Sequence, residues 1–307
     1  HYFSLENTEY GLQLMLWGFF KKIVIADRIG VVADKVFLHP YDYNGIFVIV
    51  GVLAYCLQLY ADFSGGMDVV SGAAELYGIR LDKNFRQPFF SKSISEFWRR
   101  WHITLGTWMK DYVFYPFSLS KKMMKFSKFM KKHLGTFAGK TLPICLADLL
   151  IFFLVGVWHG AAWNFVAWGL YYGVILIIEK YLLSPVLDRL PDVVRHIYSI
   201  VLVVIGWVLF FSSSFGQAAD YIRVMFGAGA HGFADRESMY LLTSNLILWL
   251  ILIFGSTPLV HFRYEHMLRT KKWNTTIINS VVYAALFIVC IAYLVTETYN
   301  PFLYFRF

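Results

Sequence analysis

Long apolar runs dominate the chain, and these runs predict its helices. About 20 helical residues cross the hydrocarbon core of a bilayer, and sustained hydropathy marks such spans. The candidate runs are residues 12–25, 46–60, 67–77, 144–157, 161–178, 197–211, 246–254 and 276–295. Several are shorter than a full span, and Lys21 and Lys22 interrupt the first. We therefore expect an all-α polytopic membrane protein with seven or so membrane segments, in which short or broken helices line a cavity.

One apolar run contains an ionisable side chain far from both of its ends. Residues 144–178 form a run of 35 residues whose clearly polar members are Asp148, His159 and Asn164. A run of this length predicts two short spans or one broken span. An ionisable group at such depth is expensive, and it is by default a functional-site hypothesis. The alternative is a core histidine that is hydrogen-bonded to a backbone carbonyl.

The composition supports a membrane protein. Hydrophobic residues make up 58% of the chain and charged residues only 16%, whereas soluble domains average about 25% charged residues. We expect one integral membrane domain over residues 1–307, without a separable soluble module. The chain begins at His1, without a Met or a signal-peptide pattern, so we expect that N-terminal spans are missing.

Basic residues concentrate in residues 80–140. This segment holds 14 of the 28 lysines and arginines against three acids, a local charge of +11 in a chain of +8. Because such residues accumulate on the cytoplasmic side of membranes, we expect a cytoplasmic segment. Within it, residues 121–132 alternate lysines with Met and Phe, which predicts an amphipathic helix lying on anionic lipid. A nucleic-acid partner is not expected, because the rest of the chain is embedded in the membrane.

A set of motifs adds a second histidine, His102, and a resemblance to a known family. The motifs are residues 62–68 (DFSGGMD), 84–85 (NF), 88–89 (PF), 95–108 (SEFWRRWHITLGTW), 111–112 (DY), 115–116 (YP), 157–165 (VWHGAAWNF) and 300–307 (NPFLYFRF). In this order they resemble the membrane-bound O-acyltransferase (MBOAT) family. The bacterial branch, with alginate O-acetylation and teichoic-acid D-alanyl transfer proteins, is the most similar. Residues 117–121 depart from the Leu-Gly-Gly turn that is common in that branch, which affects the loop after His102.

The resemblance implies a bundle of transmembrane and re-entrant helices around a central tunnel, and an O-acyltransferase activity. By motif match, His159 corresponds to the active-site histidine of the family and His102 to the second histidine of the bacterial branch. A neutral imidazole suits the deprotonation of an attacking hydroxyl, because its pKa lies near the operating pH. No Gly-x-Ser-x-Gly nucleophile motif is present, so we favour direct transfer over an acyl-enzyme. No metal and no bound cofactor are expected.

Five further residues are candidates for substrate binding, each with a plainer interpretation. Trp98 could instead anchor the chain at the membrane interface, and Arg99 could hold a phosphate or thioester carrier or simply extend its charge to the interface. Asn164 could orient His159 or form a helix–helix hydrogen bond. Asp62 and Ser64 lie in a glycine-rich break, which could line the tunnel or be a simple turn.

The donor and the acceptor are left open by the residues themselves. Acetyl-CoA, an acylated carrier protein and a lipid-linked donor are all compatible with the sequence. The family branch implies an exported polysaccharide or teichoic acid as acceptor. The basic segment that includes His102 predicts a donor on the cytoplasmic side. Acetyl is the expected group, and a secreted SGNH-type protein is a candidate partner. The cell membrane of a bacterium is the expected location.

The main alternative is a proton-coupled transporter or flippase with an intramembrane histidine. Such a carrier would need several acids deep in its spans, and we expect Asp148 to be the only good candidate. A membrane scaffold subunit is the third possibility.

Overall fold

The structure is a computed structural model that describes residues 4–38, 42–43, 45–228, 236–255 and 273–296, and every regular element in these ranges is a helix. The α-helices are α1 (Leu5–Phe19), α2 (Asp27–Leu38), α3 (Gly45–Leu76), α4 (Ile94–Arg100), α5 (Ile103–Met109), α6 (Tyr115–Ser118), α7 (Lys121–His159), α8 (Trp163–Ile178), α9 (Ser184–Leu187), α10 (Asp192–Phe211), α11 (Phe215–Met225), α12 (Arg236–Ser244), α13 (Leu246–Gly255) and α14 (Trp273–Thr296). The π-helical stretches Phe20–Ala26, Lys110–Phe114 and Glu179–Leu183 continue α1, α5 and α8.

Five helical segments in the described ranges are long and apolar enough to cross a membrane. They are Gly45–Leu76, Lys121–His159, Trp163–Leu187, Asp192–Phe211 and Ile277–Val295. The predicted polytopic all-α architecture is therefore confirmed. Helix α13 forms where residues 246–254 predicted a helix, but its ten residues are too few for a full span.

The described residues fall into two compact units. The first joins residues up to Asp82 with those from Asp220 onward, and the second is Lys83–Ala219. In the first unit, α1, its π-helical continuation and α2 pack against α3. In the second, α7 and α8 form a hairpin against which α10 and α4 pack. His102 and His159 both belong to the second unit.

Helix α3 corrects the prediction of a glycine-rich break at residues 63–66. The helix runs unbroken for 32 residues, so that Asp62 and Ser64 lie within a regular span. The glycines serve close helix packing instead of a turn. A Cβ on Gly65 would lie 2.8 Å from the carbonyl oxygen of Gly18, and one on Gly11 would lie 2.6 Å from that of Gly72. Small residues let membrane helices approach in this way.

Helix α7 contains a reversal near its start. Gly135 has a left-handed φ of 87°, and the hydroxyl of Ser127 donates to the carbonyl of Gly139 over 2.7 Å. Residues 12 apart in a straight helix would be separated by about 18 Å, so the chain folds back at Gly135. The predicted helix at 121–132 is present, and its six lysines are exposed.

Candidate active site

His159 is the last residue of α7, at a break between two helices. Gly160 is extended, and α8 begins only at Trp163. The apolar run at 144–178 is thus divided into two helices directly after the histidine, which is one of the two predicted arrangements. The following turn packs tightly, because a Cβ on Gly160 would lie 2.5 Å from the ring of Phe165.

Aromatic rings surround the imidazole of His159. The Trp168 and Phe210 rings meet it edge to face, each with its centroid 5.1 Å away, and the Trp158 ring lies at 4.8 Å. Trp168 is only 1% exposed. Packing on these sides restricts the orientation of the ring.

Trp98 extends this aromatic cluster to α4. Its indole meets Trp168 at 5.6 Å and Tyr172 at 4.9 Å, both edge to face. Among the described residues, the indole N–H groups of Trp98 and Trp168 are buried without a hydrogen-bond acceptor. Buried donors are nearly always paired in proteins, so these two unpaired N–H groups are an unusual feature of the cluster.

His102 stands between α4 and α5 in a strained backbone conformation. Its φ of 47° and ψ of 52° are left-handed, which is uncommon for a residue with a side chain. Burial lowers the pKa of His102 from 6.5 to about 4 because the charged form is penalised. The imidazole is therefore neutral at pH 7.

Asn84 holds His102 from the preceding loop. Its side-chain oxygen lies 3.1 Å from Nδ1 of His102 and also accepts the backbone N–H of Thr104 at 3.2 Å and the Thr104 hydroxyl at 3.0 Å. The backbone carbonyl of Asn84 accepts the N–H of Ile103 at 3.0 Å. Asn84 is 6% exposed. Its hydrogen bonds hold the imidazole of the strained His102 and the backbone of the two residues that follow it.

The two histidines lie against the same indole ring. The centroid of the Trp158 ring is 6.1 Å from that of His102 and 4.8 Å from that of His159. The imidazole centroids can therefore be no farther apart than the sum of these two distances. Residues that are 57 positions apart in the chain are thus brought to one place in the second unit.

Glu179 fixes the start of the helix that leads to His102. Its carboxylate, 3% exposed, accepts the backbone N–H of Ile94 at 2.6 Å and that of Ser95 at 2.9 Å. A carboxylate at a helix N-terminus satisfies orphan donors and complements the helix dipole. The cap therefore ties α4, with Trp98, to the end of the spanning segment Trp163–Leu187.

The structure separates the roles of two neighbouring arginines. Arg100 pairs with Glu96 at 2.6 Å and donates to the carbonyls of Arg86 and Gln87. Arg99 is exposed, and its guanidinium donates a hydrogen bond to the hydroxyl of Ser95 at 3.0 Å. Arg100 thus supports the loop, whereas the guanidinium of Arg99 is accessible.

The remaining predicted binding residues make structural contacts. Asn164 donates to the carbonyl of Phe210 at 3.1 Å, which is a helix–helix hydrogen bond between α8 and α10. In the first unit, buried Asp62 pairs with Lys22 at 2.8 Å, and Ser64 accepts from Lys21 at 3.4 Å. Their predicted role in substrate binding stays a prediction.

Spanning helices carry more acids than the sequence indicated. Besides Asp148, the described spans hold buried Asp62, Glu75 and Glu179 and the half-buried Asp68. The prediction that Asp148 alone lies deep in a span is therefore wrong, because the unbroken α3 carries three acids in one helix. These acids have fixed partners, since Asp62 and Asp68 pair with Lys22 and Lys21, and Glu179 caps α4.

Asn84 and Glu179 are the two site-supporting residues that sequence reasoning missed. Asn84 lies in one of the motifs that carry the family resemblance, and Glu179 directly follows the apolar run at 144–178. The described part of the chain contains no group of three His, Cys, Asp or Glu side chains that could hold a metal ion. The motif at 300–307 lies outside the described residues.

Comparison with known proteins gives consistent matches. A model of the membrane-bound O-acyltransferase family matches residues 1–215. A Pseudomonas putida protein named "Probable alginate O-acetylase AlgI" is 32% identical over 99% of this chain and 62% of its own length. A peptidoglycan O-acetyltransferase of Helicobacter pylori is 31% identical over 74% of this chain and 40% of its own. A teichoic acid D-alanyltransferase of Bacillus subtilis is 36% identical over 40% and 28%. The chain thus spans less than two thirds of the length of these relatives.

Proposed function

Because the chain belongs to the membrane-bound O-acyltransferase family, we propose that it transfers an acyl group from an activated donor to a hydroxyl group. The observation that carries the proposal is the pair of imidazoles beside Trp158, one of them at a helix break inside an apolar segment. Ionisable groups are expensive in such segments and mark functional sites. The family match supports acyl transfer as the chemistry of this pair.

His159 acts as the general base in this proposal. Its neutral imidazole takes the hydroxyl proton as the hydroxyl oxygen attacks the acyl carbon. The bond from that carbon to the leaving group of the donor breaks, and the proton passes from the imidazolium to the leaving group. His159 is neutral again, and no acyl-enzyme forms. The buried indole N–H groups of Trp98 and Trp168 are donors suited to the developing negative charge on the carbonyl oxygen.

The acceptor is an exported cell-surface polysaccharide or teichoic acid, and the acyl group is acetyl. The names of the relatives from Pseudomonas putida, Helicobacter pylori and Bacillus subtilis support an acceptor of this class. The donor is a cytoplasmic co-substrate, either acetyl-CoA or an acylated carrier protein. The +11 charge of residues 80–140, which include His102, supports an approach from the cytoplasmic side. A secreted SGNH-type protein is the proposed partner outside the membrane.

A proton-coupled transporter or flippase is the alternative. The additional acids in the spanning helices make a transporter more plausible than the sequence alone indicated. However, Asp62, Asp68 and Glu179 are held by lysines or by backbone N–H groups. Carboxylates with fixed partners are poorly suited to a proton relay, which needs groups that bind and release protons in turn.

The test uses the purified protein reconstituted in lipid vesicles. Transfer is measured from acetyl-CoA and from an acylated carrier protein to polysaccharide and teichoic-acid acceptors. We expect His159→Ala to lower the transfer rate by a factor of about 10² to 10⁴, the usual contribution of a general base. His133→Ala, which removes an exposed histidine from the basic helix, is the control. Wild-type transfer by His159→Ala would overturn the assignment, and acceptor-independent substrate uptake into the vesicles would favour the transporter.

A further inference from the structure

The hydrogen bonds around Asn84 determine which of its side-chain atoms faces His102. The backbone N–H of Thr104, 3.2 Å away, can only donate. The Asn84 atom that receives it must therefore be the carbonyl oxygen, and the usual ambiguity between amide oxygen and nitrogen does not arise. The Thr104 hydroxyl, at 3.0 Å, contacts the same oxygen.

The position of this oxygen determines the tautomer of His102. An amide oxygen carries no hydrogen, so the 3.1 Å contact with Nδ1 requires that Nδ1 be the donor. A neutral imidazole has one N–H, and Nε2 consequently carries the lone pair. The ring is neutral at pH 7 because it is buried. The left-handed backbone at His102 shows that the surrounding contacts, including both oxygens of Asn84, over-determine its placement.

We propose that Asn84 is a positioning residue for acyl transfer, which holds His102 as the Nδ1–H tautomer so that Nε2 acts as a hydrogen-bond acceptor. This inference rests on the proposed function and assigns different tasks to the two histidines. His159 takes the proton of the attacking hydroxyl. His102 accepts a hydrogen bond from an N–H or O–H group of a substrate and orients it, and no bond is made or broken at His102. Another tautomer would present a donor at Nε2 and would repel that group.

The first test is spectroscopic and does not depend on activity. The full protein, labelled with ¹⁵N-histidine in lipid, is compared with His102→Gln, which identifies the His102 signals by their loss. We expect Nδ1 of His102 to show the shift of a protonated nitrogen and Nε2 that of an unprotonated one. A wild-type spectrum with the proton on Nε2 would overturn the inference even if the protein is an active acyltransferase. The spectrum can be recorded equally well if the proposed activity is absent, so the two failures are distinguishable.

The second test uses variants of the loop. Asn84→Leu removes the acceptor, and we expect a mixed or Nε2–H tautomer and a loss of about 10- to 100-fold in kcat/KM, as for other groups that orient histidines. Asn84→Asp keeps an oxygen at this place, so Nδ1 should stay protonated and activity should exceed that of Asn84→Leu. Thr104→Val is the matched control, because it removes a hydroxyl from the same oxygen without touching the imidazole. Equal losses in Thr104→Val and Asn84→Leu, or an unchanged tautomer in Asn84→Leu, would overturn the proposal.

Discussion

The carboxylate of Glu179 accepts a hydrogen bond from the backbone N–H of Ile94 across 2.6 Å, although 85 residues separate the two in the chain. Glu179→Ala would leave two backbone N–H groups at the start of α4 without this acceptor. Each unsatisfied buried group should lower the free energy of unfolding by roughly 1–3 kcal/mol. We expect a clear drop in the thermal midpoint in detergent and a loss of activity, because α4 carries Trp98 and leads to His102.

Ser93 offers a matched control for this cap. Its hydroxyl accepts the N–H of Glu96 at 3.0 Å, as an ordinary N-cap does. Ser93→Ala should cost only about 1 kcal/mol, and Glu179→Gln should fall between wild type and Glu179→Ala. A Glu179→Ala midpoint equal to that of wild type would show that the carboxylate does not hold the helix.

The sequence predicted the positions of most helices, because a long apolar segment in a membrane must satisfy its own backbone hydrogen bonds and therefore forms a helix. It misjudged α3, where glycines at 65 and 66 suggested a break. Whether a glycine ends a helix or lets another helix approach depends on the partner, here Gly18 of α1, and this contact is invisible in a single sequence. The approximate place of His159 was predictable for the same reason as the helices.

The support of the site was not predictable. Asn84 and His102 are joined across an 18-residue separation through a loop without periodicity. Glu179 caps a helix that lies 84 residues earlier in the chain. Polar contacts of this kind follow from tertiary packing, and no local pattern marks them.

The buried pair of Lys22 and Asp62 predicts strongly coupled effects on stability. Their side chains are only 7% and 1% exposed. Lys22 also pairs with Asp27 at 2.8 Å. Asp62→Ala therefore removes one of two carboxylate partners of a buried cation and should cost at most about 3–5 kcal/mol, whereas the double variant with Lys22→Met and Asp62→Leu should recover part of that loss. Unfolding in detergent measures both. Lys92→Met, which breaks the exposed pair with Asp192, should leave the stability nearly unchanged. If the changes in unfolding free energy of the two single variants simply add up in the double variant, the two charges do not stabilise each other.

Helix 121–134 predicts a specific membrane topology. Its six lysines are exposed beside Met124 and Phe129, which are also exposed, as expected for a helix on anionic lipid. Cysteines at Ser120 and Lys128 are introduced after Cys56, Cys145 and Cys290 are replaced. In intact cells a membrane-impermeant thiol reagent should leave both unlabelled, and it should label them after the membrane is opened. Labelling from outside would place residues 80–140 on the opposite face.

The arginines next to His102 predict separable defects. Arg100→Ala removes the pair with Glu96 and the bonds to the 86–87 loop, so it should lower the thermal midpoint. Arg99→Ala removes an exposed cation and should leave the midpoint nearly unchanged while raising the KM for an anionic acyl donor. Kinetics at varied donor concentration give the comparison. An unchanged donor KM in Arg99→Ala would remove this residue from the donor site.

Burial of His102 predicts the sign of its effect on stability with pH. Its pKa is about 4 in the folded chain and 6.5 in the unfolded one, because burial penalises the cation. Between these values the unfolded chain binds a proton that the folded chain does not. Stability contributed by His102 is therefore full above pH 6.5 and falls as the pH drops toward 4. We expect the thermal midpoint to fall between about pH 7.5 and about pH 5, and to fall more in wild type than in His102→Gln, because the glutamine side chain does not titrate. Equal falls in both proteins would mean that His102 is not held neutral in the folded state.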